Sequence, residues 1–122
     1  MEYNDQRAIY LQIADMICEK VLTDSWKEDE RVPSVRELAS DFQVNPNTVM
    51  RTYNFLQQSE IIYNQRGIGY FLSENAKQKT LELKKEEFLE KELPQFINKL
   101  TLLGYNLSDI QSLIKENNNE NK

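Results

Sequence analysis

Between positions 33 and 58 the chain reads PSVRELASDFQVNPNTVMRTYNFLQQ, and no other stretch restricts its folding as much. Two helix start signals sit close together. Ser34 and Glu37 form an S-x-x-E capping box, which satisfies two orphan N–H groups. Asn45 is a strong N-cap, and Pro46 takes the first helical position, where its missing N–H costs nothing. Val35, Leu38, Ala39 and Phe42 line one face of the earlier helix; Val49, Thr52, Tyr53 and Leu56 line one face of the later one. Gln43 and Val44 are left for the turn. Two short amphipathic helices joined this tightly read as a helix-turn-helix. The later helix opens on small polar side chains. At about 100° per residue, Asn47, Arg51, Asn54 and Gln58 point away from its apolar face, so its outward surface is amide-rich and carries one guanidinium.

The flanking segments extend the pattern. Tyr10, Ile13, Ala14, Ile17, Cys18, Val21 and Leu22 recur at helical spacing, which predicts a helix from about Ala8 to Thr23 with Asn4 or Asp5 as its cap. DSWKEDERV follows as a polar loop whose Trp26 plugs the edge of the core. Past Glu60 the period changes. Ile61-Ile62-Tyr63 and Tyr70-Phe71-Leu72 are β-prone, NQRGIG lies between them, and Gly67 can supply the positive φ of a hairpin turn. This predicts a wing with Arg66 at its tip. From Ser73 the chain turns helical again. Leu81, Phe88, Leu89, Phe96, Ile97 and Leu100 repeat roughly every seven or eight residues, one stripe of a long helix that Pro94 breaks or kinks near Leu93. Gly104 signals a C-cap, and Ser108 with Gln111 reads as a capping box for a short helix to about Asn117. The expected fold is mainly α with a small β-hairpin: a winged helix-turn-helix over residues 1–73, a helical dimerisation segment over 74–117 and a disordered tail over 118–122.

Composition narrows the function. There is no histidine, hence neither the commonest metal ligand nor the commonest general base. The single cysteine, Cys18, sits in an apolar stripe and reads as a small buried hydrophobe. No metal and no cofactor is expected. No apolar run approaches the roughly 20 residues needed to span a bilayer, and the polar, acidic opening MEYNDQRAIY is unlike a signal peptide, so a cytoplasmic protein with no membrane partner is expected. A net charge of −5 argues against a nonspecific polycation. Its distribution matters more: all five arginines fall within the first 66 residues. Residues 31–72 hold four arginines against Glu37, Asp41 and Glu60, a local balance of +1. Arginine suits bidentate contact with phosphate or guanine.

These features point to double-stranded DNA as partner. A helix-turn-helix rests one helix across the backbone and lays the next in the major groove. Ser34 can offer its hydroxyl and the helix N–H groups to a phosphate. Arg36 can reach a phosphate or a guanine. Asn45, Asn47 and Thr48 lead the later helix, where Asn can bond adenine and Thr can touch a thymine methyl. Arg51 reaches a base edge or the backbone. Arg66 and Gly67 at the wing tip suit a minor groove, since narrow A·T tracts attract arginine. Each residue also has an ordinary role: Ser34 and Asn45 are caps in any case, while Asn47, Thr48, Asn54 and Arg66 could simply be solvated. Their joint placement on one side of the unit carries the reading. Tyr53, Phe55 and Tyr70 read as packing rather than base stacking.

RVPSVRELASDFQVNPNTVMRTYNFLQQSEII, followed by RGIGYFL, resembles the winged-helix domain of the GntR family of bacterial transcription regulators. The Asn-Pro-Asn-Thr-Val run and the short C-terminal part resemble its YtrA-like subfamily, and IYLQIADMI is similar to the family's opening segment. The resemblance covers about residues 8–72. It implies a dimer on a palindromic operator, with the helix at about 46–58 in the major groove and the wing at about 63–70 in the minor groove. It also implies that Ser34, Arg36, Asn45, Asn47, Thr48, Arg66 and Gly67 lie at or near DNA. The chain departs from the family twice. The loop before the capping box usually carries Pro-Gly and here reads KEDE. At Met50 the family often has Arg or Gln; a thioether cannot contact phosphate or guanine, so one expected contact is lost and a thymine methyl becomes a candidate partner.

The C-terminal part decides the mechanism. Two or three short helices hardly enclose a pocket of a few hundred Å³, so no effector site is expected and an effector stays unknown. They can present an apolar stripe to a symmetry mate. A two-fold dimer is expected through Leu81, Phe88, Leu89, Phe96, Ile97 and Leu100, the alternative being that Leu81, Phe88 and Leu89 pack on the same chain's winged helix. The leading functional reading is a sequence-specific DNA-binding regulator, a repressor. The alternative is a winged-helix protein-interaction module, which leaves no footprint on any duplex. An enzyme is the third. It lacks support, because no nucleophile–base pair and no Gly-rich phosphate loop is visible.

Overall fold

The computed structural model describes residues 7–120. Helix α1 (Ile9–Leu22) turns Ile13, Ala14, Ile17, Cys18 and Val21 inward, as its periodicity predicts. Its N-cap is Ala8, with no side-chain cap bond. This corrects the expectation of Asn4 or Asp5. The helix starts too late for either to serve, and both lie outside the described residues. Gln12 Nε2 instead ties the entry by donating to the Arg7 carbonyl at 2.9 Å.

Helix α2 (Val35–Phe42) carries both arms of the capping box. The Glu37 N–H donates to Ser34 Oγ at 3.1 Å, and the Ser34 N–H donates to Glu37 Oε1 at 3.2 Å. Gln43 ends α2 in the left-handed region, φ 54° and ψ 47°, which reverses the chain within two residues. Asn45 then caps α3 (Pro46–Gln58), its Oδ1 accepting from the Asn47 N–H at 2.8 Å. Both α1 and α2 pack on α3, whose Val49, Tyr53 and Leu56 are fully buried. Thr52 is buried too. Its hydroxyl donates to the Tyr10 carbonyl at 2.7 Å, which removes the cost of hiding a polar group and ties α3 to α1.

The hairpin follows. Strands β1 (Ile62–Gln65) and β2 (Gly69–Leu72) pair antiparallel, with Ile62 opposite Leu72 and Gln65 opposite Gly69. Ile62 and Leu72 close the core from below the wing, and Gly67 takes the positive φ, +80°, that the turn needs. The preceding loop is more ordered than its polar composition indicates. Arg31 forms a bridge with Phe71, the Val32 N–H reaches the Tyr70 carbonyl at 3.0 Å, and the Leu72 N–H reaches the Glu30 carbonyl at 2.9 Å. The exposed edge of β2 is thereby covered. Trp26 packs against the core as expected.

Helix α4 (Ala76–Glu87) buries Ala76 and Thr80 and packs Leu83 against the same core. Asp15 on α1 accepts from Lys84 on α4 and from Arg7 at 2.7 Å. Two compact units result, one up to Lys84 and one from Lys85 on. The sequence hid this because α4 is strongly charged and only one residue per turn reaches the core.

In the second unit, Phe88–Glu92 forms a π-helical turn that leads into α5 (Leu93–Leu102). Pro94 does not break the helix. It has no N–H, and its ring crowds the carbonyl four residues back, so the ladder widens, the Leu93 N–H reaching Phe88. Gly104, φ +84°, ends α5 with the paired bonds Gly104 N–H to Thr101 and Tyr105 N–H to Leu100, at 3.1 and 3.0 Å. The capping box of α6 (Leu107–Glu120) is Asn106 with Asp109, both arms 2.9 Å long, and not Ser108 with Gln111. Asn caps as well as Ser does, and the chain leaves the Gly104 turn two residues earlier than the Ser108 reading requires. Helix α6 also runs past Asn117 to Glu120, since no Gly or Pro follows Gly104 to stop it.

Candidate nucleic-acid interface

The start of α2, the first turn of α3 and the wing supply the side chains that the sequence singles out. At α2, the box occupies Ser34 more fully than expected: its own N–H serves Glu37, and its Oγ accepts from the Glu37 N–H. What stays open are the N–H groups of Val35 and Arg36, which have no helical acceptor. Glu37 stands beside them. The Ser34 backbone N–H, and then the Ser34 hydroxyl, hold its carboxyl below the usual carboxylate range, so it is ionised at neutral pH. Arg36 is exposed and makes no ion pair among the described residues.

On α3 the outward row is as expected: Asn47, Arg51, Asn54 and Gln58 are all exposed. Asn45 spends its Oδ1 on the cap and keeps its amide hydrogens to donate. Thr48 is half-buried, with its carbonyl taking a second bond from Thr52 at 3.2 Å. Arg51 differs from its fellows. Its guanidinium carbon lies 4.2 Å from the centroid of the Tyr10 ring, so it is held toward α1. At the wing, Arg66 and Gly67 are exposed at the tip. Arg31 is a further cation that the sequence reading left without a role. It lies against Gly69 near the turn of the wing, where a Cβ would come within 2.9 Å of Arg31 Nε and would push the guanidinium aside.

Behind this face lies an aromatic support. Tyr53 is buried and donates its hydroxyl to the Pro33 carbonyl at 2.5 Å. Tyr70 packs edge-on against Tyr53, centroids 4.9 Å apart, and offers its hydroxyl to Met50 Sδ at 3.8 Å. Both tyrosines pack, as the sequence reading has it. Burial raises the Tyr53 hydroxyl well above the usual tyrosine range.

In α4 and the second unit, Leu81, Phe88, Leu89, Phe96 and Ile97 are exposed, Leu89 by 60%, and Leu100 is half-buried. Leu102, Leu103, Leu107, Leu113 and Ile114 are exposed as well, and the sequence reading missed them. The repeat that revealed the first group ends at Gly104. A cleft lined by Trp26, Arg31 and Pro33 offers only about 50 Å³. Among the described residues, no cluster of three His, Cys, Asp or Glu side chains could hold a metal, and no helix is long and apolar enough to cross a membrane.

Three helices, a wing and a polar leading edge on the third helix define a winged helix-turn-helix DNA-binding domain. The profile of bacterial regulatory proteins of the gntR family matches residues 9–72, and the chain belongs to the GntR family. It is 32% identical over 114 residues to the Bacillus subtilis HTH-type transcriptional regulator YhcF, covering 93% of each chain. It is 39% identical over 108 residues to the HTH-type transcriptional repressor YtrA of the same bacterium, covering 88% of this chain and 82% of YtrA. Its fold is similar to a crystal structure described as a putative transcriptional regulator of the GntR family from Bacteroides thetaiotaomicron. That match has a TM-score of 0.81 and 44% identity, and covers 94% of this chain and 100% of the other. The protein is a transcriptional regulator of the GntR family with a helix-turn-helix DNA-binding domain.

Proposed function

We propose that this protein is a repressor that binds a palindromic operator as a homodimer, in the cytoplasm. Helix α3 lies in the major groove and the wing in the minor groove. Ser34, Arg36, Arg51 and Arg66 meet the backbone or groove edges, and Asn45, Asn47 and Thr48 meet bases. The observation that carries this reading is the exposed row on α3, flanked by Arg36 and Arg66, which make no ion pair among the described residues of a chain that is acidic as a whole. The similar protein YtrA is itself named a repressor.

The dimer is proposed to form through Leu81, Phe88, Leu89, Phe96, Ile97 and Leu100. In support, the first five are exposed. Exposed large apolar side chains this numerous usually find a partner. Selection of random duplexes by the purified protein, over a series of salt concentrations, tests both parts. The expected result is a palindromic motif whose half-sites lie about one helical turn apart or a multiple of it. Enrichment of a single half-site bound by a monomer overturns the dimer. No enrichment at any salt concentration overturns specific binding and favours a protein-interaction module.

A further inference from the structure

Met50 is 39% exposed on α3, an apolar side chain in the row that otherwise presents Asn47 and Asn54. Residues three and four apart are neighbours on a helix surface, so it stands between those two amides. Tyr70 of the wing reaches its Sδ at 3.8 Å, and the Tyr70 ring is itself set by Tyr53, centroids 4.9 Å apart. A methionine left free on a surface has three rotors to order on binding; this one is steered by a fixed hydroxyl.

We propose that Met50 is a specificity-determining residue that reads the C5-methyl group of a pyrimidine in the major groove, with Tyr70 as the positioning residue. The inference rests on the proposed DNA-binding reading, with α3 in the major groove. A thioether donates no hydrogen bond. It therefore gains nothing at guanine O6 and N7, at thymine O4 or at a phosphate, and it offers only a weak acceptor to the amino groups of adenine and cytosine. The apolar surface it complements in that groove is the methyl group, which thymine carries and 5-methylcytosine shares. Asn47 and Asn54 on either side suit adenine, so the row fits an A·T-rich step.

The test uses the duplex enriched by the wild-type protein. Each thymine is replaced in turn by deoxyuridine, which removes only the methyl, and each cytosine by 5-methylcytosine, which adds it. Affinities are measured for the wild type, Met50→Ala, Met50→Leu and Tyr70→Phe. At one thymine, wild type and Met50→Leu should lose roughly three- to fivefold in affinity with deoxyuridine, the value of one buried methyl group. Met50→Ala should bind the two duplexes equally, and Tyr70→Phe should show an intermediate ratio; a merely structural role for Tyr70 would weaken both duplexes alike. If the position is a cytosine, tighter binding to 5-methylcytosine by wild type but not by Met50→Ala supports the proposal and identifies the other methyl source. An enriched duplex at which no base shows a Met50-dependent methyl effect overturns this inference alone. Absence of any enriched duplex removes the DNA-binding reading and this inference with it.

Discussion

The Tyr53 hydroxyl donates a 2.5 Å hydrogen bond to the Pro33 carbonyl, so the centre of α3 fixes the residue that leads into the α2 cap. This bond ties α3 to the segment just before the start of α2. It also leaves Tyr53 with a hydroxyl that cannot ionise without losing both its solvent-excluded site and its acceptor.

Tyr53→Phe should therefore lower stability by about 1–2 kcal/mol, because the carbonyl loses its partner while the ring still fills the core. The pH dependence follows from the raised hydroxyl. A group whose folded value lies above its unfolded one contributes stability fully below the unfolded value, about 10 for tyrosine, and loses it as pH rises beyond. Wild type should weaken above about pH 10 and Tyr53→Phe should weaken less over the same range. Urea midpoints across that interval check both statements. Equal alkaline slopes would show that Tyr53 is not the group responsible.

Glu37 gives the opposite sign. Its carboxyl is held low, first by the Ser34 backbone N–H and then by the Ser34 hydroxyl. Its contribution is present above the ordinary glutamate value, about 4.3, and is lost as pH falls through the depressed folded value. Glu37→Gln keeps an acceptor for the Ser34 N–H but binds no proton. The variant's stability should fall less steeply below about pH 5 than that of the wild type. Ser34→Ala removes the cap itself and should cost about 1 kcal/mol near neutral pH.

Thr80 on α4 is fully buried, and its hydroxyl has no hydrogen-bond partner among the described residues. Burying a hydroxyl unpaired costs about 1–3 kcal/mol, and valine has nearly the same shape without the polar atom. Thr80→Val should raise stability by about 1 kcal/mol and increase the melting temperature. A lower melting temperature would mean that the hydroxyl has a bridging partner in solution.

How much of this was legible beforehand differs from element to element. The starts of α2 and α3 were readable because Ser34, Glu37, Asn45 and Pro46 act through bonds that span only two or three residues. The buried faces of α1 and α3 were readable because period and burial coincide. The Arg31 bridge to Phe71 was not, since a strand edge covered by a charged loop leaves no periodic trace. Nor was the extent of the first unit: Ala76 and Thr80 are small, and a helix that docks through small residues shows little apolar repeat. At the far end, Ser108 and Gln111 matched a capping pattern that Asn106 and Asp109 satisfied instead, because spacing alone cannot say which residue leaves the preceding turn in an extended conformation. On the candidate face, exposure was foreseen for Asn47, Arg51 and Arg66, but the seating of Arg51 on Tyr10 was not. That contact joins residues far apart in the chain.

The seating of Arg51 makes the last prediction. The Arg51 guanidinium carbon lies 4.2 Å from the Tyr10 centroid, on the side of α3 nearer α1, and on the proposed DNA-binding reading it meets a backbone phosphate there. Arg51→Ala should weaken binding to every duplex by a similar factor, reduce the slope of log affinity against log salt by about 0.9, and leave base preference unchanged. Tyr10→Leu keeps the charge but loses the ring beneath it, about 0.5–1 kcal/mol at an exposed site, so affinity should drop a few-fold with the salt slope intact. Arg36 is the contrast. Among the described residues no ring holds it, so on the proposed reading Arg36→Ala should cost about 1–3 kcal/mol, concentrated at one base pair, if it reads a guanine. Salt-series titrations of the three variants on the enriched duplex and on point variants of it separate these cases. A change of base preference in Arg51→Ala would place that guanidinium at a base edge and refute its assignment to the backbone.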